Sequence, residues 1–169
     1  MPELNRTDLF QKKAKVNQIR NGVYSFISYF RKDLNKSADD TRKIIQNMGK
    51  NIAKSFFNYW KPENTEPLRI IREIYRTVFS GSVNVREKDG YIVVIDRNCP
   101  FCKYTRDVDI SGCELILGFI TQYFDLLSSK KYIDPATGTE MNIPKLEGKI
   151  TASKIFSEKN FCQTVYKKI

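Results

Sequence analysis

Four cysteines and no histidine constrain what this chain of 169 residues can build. All four lie at or after position 99, as Cys99-Pro100-Phe101-Cys102, then Cys113 and Cys162. Two thiols two residues apart can grip one metal ion or close one redox disulfide, and two further thiols can complete a four-sulfur site. A fold that uses all four together must carry a loop near residue 100, a point near 113 and a point near 162 to one place.

The hydrophobic period predicts which elements do the carrying. From about Thr7 to Asn35, Val16, Ile19, Val23, Phe26, Ile27 and Phe30 recur at three- and four-residue steps, on one helix face, with Asn21-Gly22 the weak point at which a break would fall. Ser37-Ala38-Asp39-Asp40 supplies a cap and first-turn carboxylates for a second helix. Its buried face is expected to be Ile44, Ile45, Met48, Ile52, Phe56 and Trp60, and Pro62 forbids much continuation. A third helix opens after Thr65, carries Leu68, Ile71, Ile74, Tyr75 and Val78, and ends at Gly81.

The period then changes to two. Val83, Val85, Tyr91, Val93 and Ile95 fall in two short runs joined by Lys88-Asp89-Gly90, a hairpin signal because glycine accepts a positive φ at the turn. The second run leads straight into Cys99. Asp109-Ile110-Ser111 can cap a fourth helix from about Gly112 to Ser128, with Cys113, Ile116, Leu117, Ile120, Tyr123, Phe124 and Leu127 on one face. Ile133 to Gly148 carries turn residues, and Ile150 to Ile155 and Phe161 to Tyr166 read as a closing strand pair. The expected class is α+β: N-terminal helices, then an antiparallel sheet with one long helix between its strand pairs. The aromatic residues Tyr24, Phe26, Tyr29, Phe30, Phe56, Phe57, Tyr59 and Trp60, at helical spacing, read as core or dimer seam ahead of a ligand pocket.

Composition narrows the chemistry. No run approaches the roughly 18 apolar residues of a membrane span, and Met1-Pro2-Glu3-Leu4-Asn5-Arg6 lacks an apolar signal core. A cytoplasmic protein is expected, where thiols stay reduced or metal-bound. The net charge of +10 suits nucleic acid, an anionic membrane surface or an acidic protein, but the basic residues are spread. Lys12-Lys13, Lys130-Lys131 and Lys167-Lys168 are only pairs, so a solvated basic surface is the first reading and a nucleic-acid partner the second. Without histidine, Cys-His and Ser-His-Asp catalysis is excluded, and no carboxylate pair or Gly-rich phosphate loop stands out. Gly112 and Gly118 fall in a helix and are expected to permit close packing. The chain reads as a binding module rather than an enzyme.

Four fates of the cysteines compete. A tetrahedral zinc site commonly uses one C-x-x-C knuckle, here Cys99 and Cys102, and Cys113 at a helix start gains from the positive end of the dipole, with Cys162 arriving from the last strand. A thiol-disulfide oxidoreductase is the second, because Ile92 to Lys103 resembles the opening of a glutaredoxin, a strand running into a C-P-x-C pair. That resemblance spans about a dozen residues and ends at Tyr104-Thr105-Arg106-Asp107-Val108-Asp109, which lacks an apolar stripe. Structural disulfides are the third fate, and small buried apolar residues the fourth, chiefly for Cys113 and Cys162.

A longer resemblance runs from about Ser37 to the C-terminus. A helix with Met48-Gly49-Lys50-Asn51-Ile52-Ala53, a hairpin, a Cys-Pro-Phe segment and Ser111-Gly112-Cys113-Glu114-Leu115-Ile116-Leu117-Gly118-Phe119 opening a helix precede a terminal strand pair with Cys162. This order resembles the 4-vinyl-reductase-type domain, a hydrocarbon-binding module related to TRAPP subunits. The resemblance implies an α+β fold that dimerises through its helices, with an apolar cavity near the sheet for a hydrophobic ligand. Residues 37–169 would form that domain, and residues 1–36 a helical extension that serves dimerisation. In metal-binding relatives, a cysteine at the helix start joins a glutamate and two cysteines near the C-terminal strands. Cys113 and Cys162 match two of those positions. The other two have no counterpart around Thr151 to Phe156, so Cys99 and Cys102 would replace them.

The expectation drawn from all this is a homodimeric ligand-binding, sensor or scaffold module with a structural zinc on Cys99, Cys102, Cys113 and Cys162. Its rivals are the oxidoreductase and a zinc-dependent nucleic-acid-binding factor.

Overall fold

The computed structural model describes residues 6–102, 108–129, 138–140, 142–156 and 158–169. The side chains of Lys12, Lys13 and Val16, the Lys130-Lys131 pair, Tyr104 to Asp107 and Pro135 to Thr137 lie outside the described residues. Among the described residues the element order is α1 (Arg6–Ser28), a π-helical turn (Tyr29–Asp33), α2 (Ala38–Phe56), α3 (Pro67–Thr77), β1 (Asn84–Lys88), β2 (Tyr91–Asp96), α4 (Cys113–Ser129), β3 (Leu146–Ala152) and β4 (Cys162–Lys168). This is the α+β arrangement the sequence predicts, with helices ahead of an antiparallel sheet.

Helix α1 runs unbroken through the weak point at Asn21-Gly22. A mid-helix glycine weakens a helix by about 1 kcal/mol without breaking it, and Val23, Tyr24 and Ile27 just beyond it are buried. The predicted stripe is only half right. Ile19 and Phe26 are 57% and 50% exposed, so one side of α1 shows apolar residues to solvent.

Helix α2 starts where the cap predicts. Ser37 Oγ accepts the Asp40 amide at 3.0 Å, and Asp39 and Asp40 meet the positive end of the helix. Its inner face differs from expectation: Thr41, Ile45, Gly49 and Ala53 are buried, whereas Ile52 is 44% exposed. Close approach to α4 explains the shift. A Cβ on Gly49 would stand 2.0 Å from the Leu115 carbonyl oxygen, and one on Gly118 would stand 2.0 Å from that of Gln46. The two backbones meet glycine to helix, which leaves room only for the row of small residues. Gly118 thus serves close packing, as its place in the helix predicts.

The hairpin turn is Asp89-Gly90, with φ values of 53° and 78°, the left-handed pair that a two-residue turn between twisted strands requires. The strands form one sheet in the order β1-β2-β4-β3, antiparallel at every step. Strand β3 begins at Leu146, four residues before its expected start, and a register shift between Ile150 and Ala152 bends its end. Helix α4 is buried between α2 and the sheet, with Ile116, Phe119, Ile120 and Phe124 all in the core. Aromatic rings fill the far end: Phe119 and Tyr123 stack at 5.6 Å, and Phe56, Phe57 and Trp60 pack around them. Phe57 is core and Phe56 and Trp60 pack half-buried against it, whereas Tyr59 lies in solvent.

Candidate metal centre

Three separate segments meet at the end of β2. The strand finishes at Asp96, and the chain turns through Cys99-Pro100-Phe101-Cys102, closed by the Cys102 amide donating to the Cys99 carbonyl at 3.2 Å. The antiparallel register pairs Asp96 with Cys162, the first residue of β4, and so fixes Cys162 beside the turn. Ser111 Oγ accepts the Cys113 amide at 3.1 Å, capping α4 and placing Cys113 at its opening.

The four sulfurs converge. All lie within 4.8 Å of one another, all four cysteines are buried, and none is in a disulfide. The short contacts are Cys99 to Cys113 and Cys102 to Cys113, each 3.2 Å. A tetrahedral zinc with sulfur at 2.3 Å sets its ligand sulfurs about 3.8 Å apart, whereas a disulfide needs about 2.05 Å. The two short contacts fall below the tetrahedral value and none of the separations exceeds 4.8 Å, so the donor set suits a thiolate-preferring ion once the sulfurs spread by a few tenths of an ångström.

Polar groups surround the sulfurs on the outer side. Ser111 Oγ lies 3.3 Å and Ser153 Oγ 3.5 Å from Cys102 Sγ, the two hydroxyls are 3.1 Å apart, and the Lys154 amide donates to Cys162 Sγ at 3.4 Å. Such contacts orient thiolate ligands and soften their charge. The sulfurs also act on each other. Contacts from Cys113, Cys162 and Cys99 pull the Cys102 thiol far below its ordinary range, whereas Cys99 and Cys113 are pushed up, chiefly through Cys102.

Helix α1 clasps the turn from the other side. The Tyr24 hydroxyl donates to the Phe101 carbonyl at 2.8 Å and accepts the Gly112 amide at 3.2 Å, and Arg20 reaches the Pro100 carbonyl at 3.5 Å. Nothing in the sequence spacing signals Tyr24, Arg20, Ser153 or Lys154 as neighbours of the cysteines; only Ser111 is marked in advance, as a cap. Arg31 adds a tie near the surface, meeting Asp109 at 2.6 Å and holding its carboxyl below the ordinary range.

A groove of about 470 Å3 opens on the serine side, lined by Arg42, Gln46, Glu114, Thr151 and Phe156 as well as the two serines. Glu114 stands apart from the sulfur cluster, with its carboxylate accepting from Gln46 Nε2 at 2.7 Å and burial raising its pKa. A second hollow, about 130 Å3 and apolar, lies on the opposite side of the cysteine turn, among Ile19, Ile52, Val78, Phe79, Pro100, Phe101 and Leu115.

No family model and no curated protein matches the sequence. Solved structures do match the fold. One is subunit 3 of the trafficking protein particle complex from Naegleria fowleri, in a structure covalently bound to palmitic acid. It superposes with a TM-score of 0.67 at 10% sequence identity, over 93% of this chain and 96% of that one. The chain described here has the fold of that trafficking-complex subunit, from the N-terminal helices to the last strand.

Proposed function

We propose that the protein is a non-catalytic scaffold or sensor module that binds a hydrophobic molecule and is held together by a structural zinc on Cys99, Cys102, Cys113 and Cys162. The observation that carries the zinc is the meeting of four buried sulfurs from three distant segments at near-tetrahedral separations. A four-sulfur set with no open position is the mark of structural rather than catalytic zinc. The oxidoreductase reading draws less support, because exchange needs an accessible thiolate and all four sulfurs are buried.

The apolar ligand is read from the fold and from the hollow beside the cysteine turn. The trafficking subunit of the same fold carries its palmitic acid covalently. Here every thiol of the chain lies in the cluster, so we read the ligand as held by packing and not through a thioester. In this reading residues 37–169 form a 4-vinyl-reductase-like domain, and residues 1–36 an extension that pairs with a second copy.

Metal analysis of the pure protein tests the core of the proposal. One zinc per chain, lost when any one of the four cysteines becomes serine, is expected. A metal-free protein with a reversible Cys99-Cys102 disulfide would replace this reading with the redox one. Binding to DNA or RNA that weakens steeply with salt would favour the nucleic-acid factor.

A further inference from the structure

The cysteine turn has two faces. Its sulfurs point into the cluster, and the two residues between them, Pro100 and Phe101, form a wall of the apolar hollow. We propose that this hollow binds a small uncharged hydrocarbon group and that its occupancy stabilises the metal on the other side of the turn. The proposal rests on the apolar-ligand reading above and gives that ligand a place and a consequence.

Size and lining select the ligand. The hollow is open at its rim and holds about 130 Å3, room for one small hydrocarbon group of about the size of benzene. Its seven lining residues are all apolar and come from three helices, the segment after α3 and the turn: Ile19 on α1, Ile52 on α2, Val78 and Phe79 after α3, and Leu115 on α4. No side chain there can pair with a charge or a hydroxyl. A hydrocarbon group gains dispersion contacts with these walls, whereas a polar one would lose its water without replacement. Ile19 and Ile52 are exposed and form the rim.

The coupling follows from how tightly Phe101 is seated. A Cβ on Gly112 would lie 3.0 Å from Phe101 Cβ, so the ring rests on the backbone just before Cys113. Its carbonyl is tied by Tyr24, and the next residue is Cys102. A shift of Phe101 therefore moves two of the four sulfurs. An occupant that fills the hollow holds Pro100 and Phe101 in place and slows the turn's opening, which metal loss requires.

The test uses the full chain loaded with zinc, fluorobenzene as the probe followed by fluorine NMR, and palmitate as a second probe. Variant Ile52→Trp closes the rim at an exposed position, and Leu34→Trp is the control at an equally exposed position away from the hollow. Saturable binding of fluorobenzene is expected, weakened about tenfold or more by Ile52→Trp, a change of about 1.4 kcal/mol, and unaltered by Leu34→Trp. Saturating probe should slow zinc transfer to a chelator about threefold, and not in Ile52→Trp. Equal binding by both variants overturns the hollow as the site, and unchanged zinc release overturns the coupling. Palmitate bound equally well by wild type and Ile52→Trp, without fluorobenzene binding, overturns this inference and leaves the apolar-ligand reading standing. Binding of neither probe sinks both. A dimer that Ile52→Trp splits, with no probe binding, shows a second copy as the occupant and overturns the proposal.

Discussion

The Tyr24 hydroxyl gives its proton to the Phe101 carbonyl at 2.8 Å while accepting the Gly112 amide at 3.2 Å, so one side chain of α1 joins the cysteine turn to the start of α4. Burial, first, and Cys102, second, push its own pKa well above the ordinary value, which keeps it a neutral donor. Tyr24→Phe leaves the ring's packing intact but orphans a buried carbonyl and a buried amide. A loss of about 1–3 kcal/mol is expected in urea denaturation, with faster zinc release to a chelator. An unchanged midpoint and an unchanged release rate would show the clasp to be idle.

The glycines of the helix contact give a graded series. Gly118→Ala and Gly49→Ala each drive a carbon to 2.0 Å from a carbonyl oxygen of the facing helix. Each should cost about 3 kcal/mol or more, since α2 and α4 must separate. Gly22→Ala adds a carbon where nothing lies within 4 Å, in mid-helix, and should stabilise the fold by about 0.5–1 kcal/mol. Thermal unfolding of the three variants reads the order directly, and a Gly118→Ala midpoint equal to wild type would refute the close approach.

Metal retention should depend on acid in a set direction. Thiolates must replace thiols for a cation to be held, so binding releases protons and acidification reverses it. Zinc measured after dialysis should stay near one per chain at pH 7–8 and fall steeply below about pH 5. Each Cys→Ser variant should hold no zinc even at pH 7–8; a Cys162→Ser curve equal to that of wild type would remove Cys162 from the ligand set.

Asp96 sets a separate pH dependence in the metal-free protein. Burial, eased by the Asn98 amide, pushes its carboxyl from 3.8 up to about 6, and its Oδ2 has no hydrogen-bond partner among the described residues. Between those values the folded chain keeps a proton that the unfolded chain has lost. Stability should therefore fall as pH rises from about 4 to about 6, by up to about 3 kcal/mol, and level off above. Asp96→Asn should flatten that slope and raise stability above pH 6, as followed by denaturant titration across the range. A slope that survives the substitution would assign the effect to another group.

What the sequence makes legible here is local. Ser37 with its acids, Asp89-Gly90 and Ser111 before Cys113 each fix a boundary through their own neighbours, and all three boundaries stand in the structure. The face of α2 is not legible, because a hydrophobic stripe ranks Ile52 above Gly49, whereas two backbones in contact select the smallest side chain. The four cysteines can be named from the sequence. Their surroundings cannot, since Tyr24 and Ser153 come from segments with no spacing relation to the turn and arrive only through tertiary packing.

The sheet order has a consequence in time as well as in space. Cys162 enters from β4, which inserts between β2 and β3, so the site stays one ligand short while about 50 further residues after Cys113 are made. At 5–20 residues per second that is several seconds. An ion captured in that interval would sit on three sulfurs with a vacant corner, exchangeable and exposed to water. Insertion of that strand completes the sheet, and on the zinc reading it would also shut that corner, so the step that finishes folding would turn a loosely held ion into a fixed one.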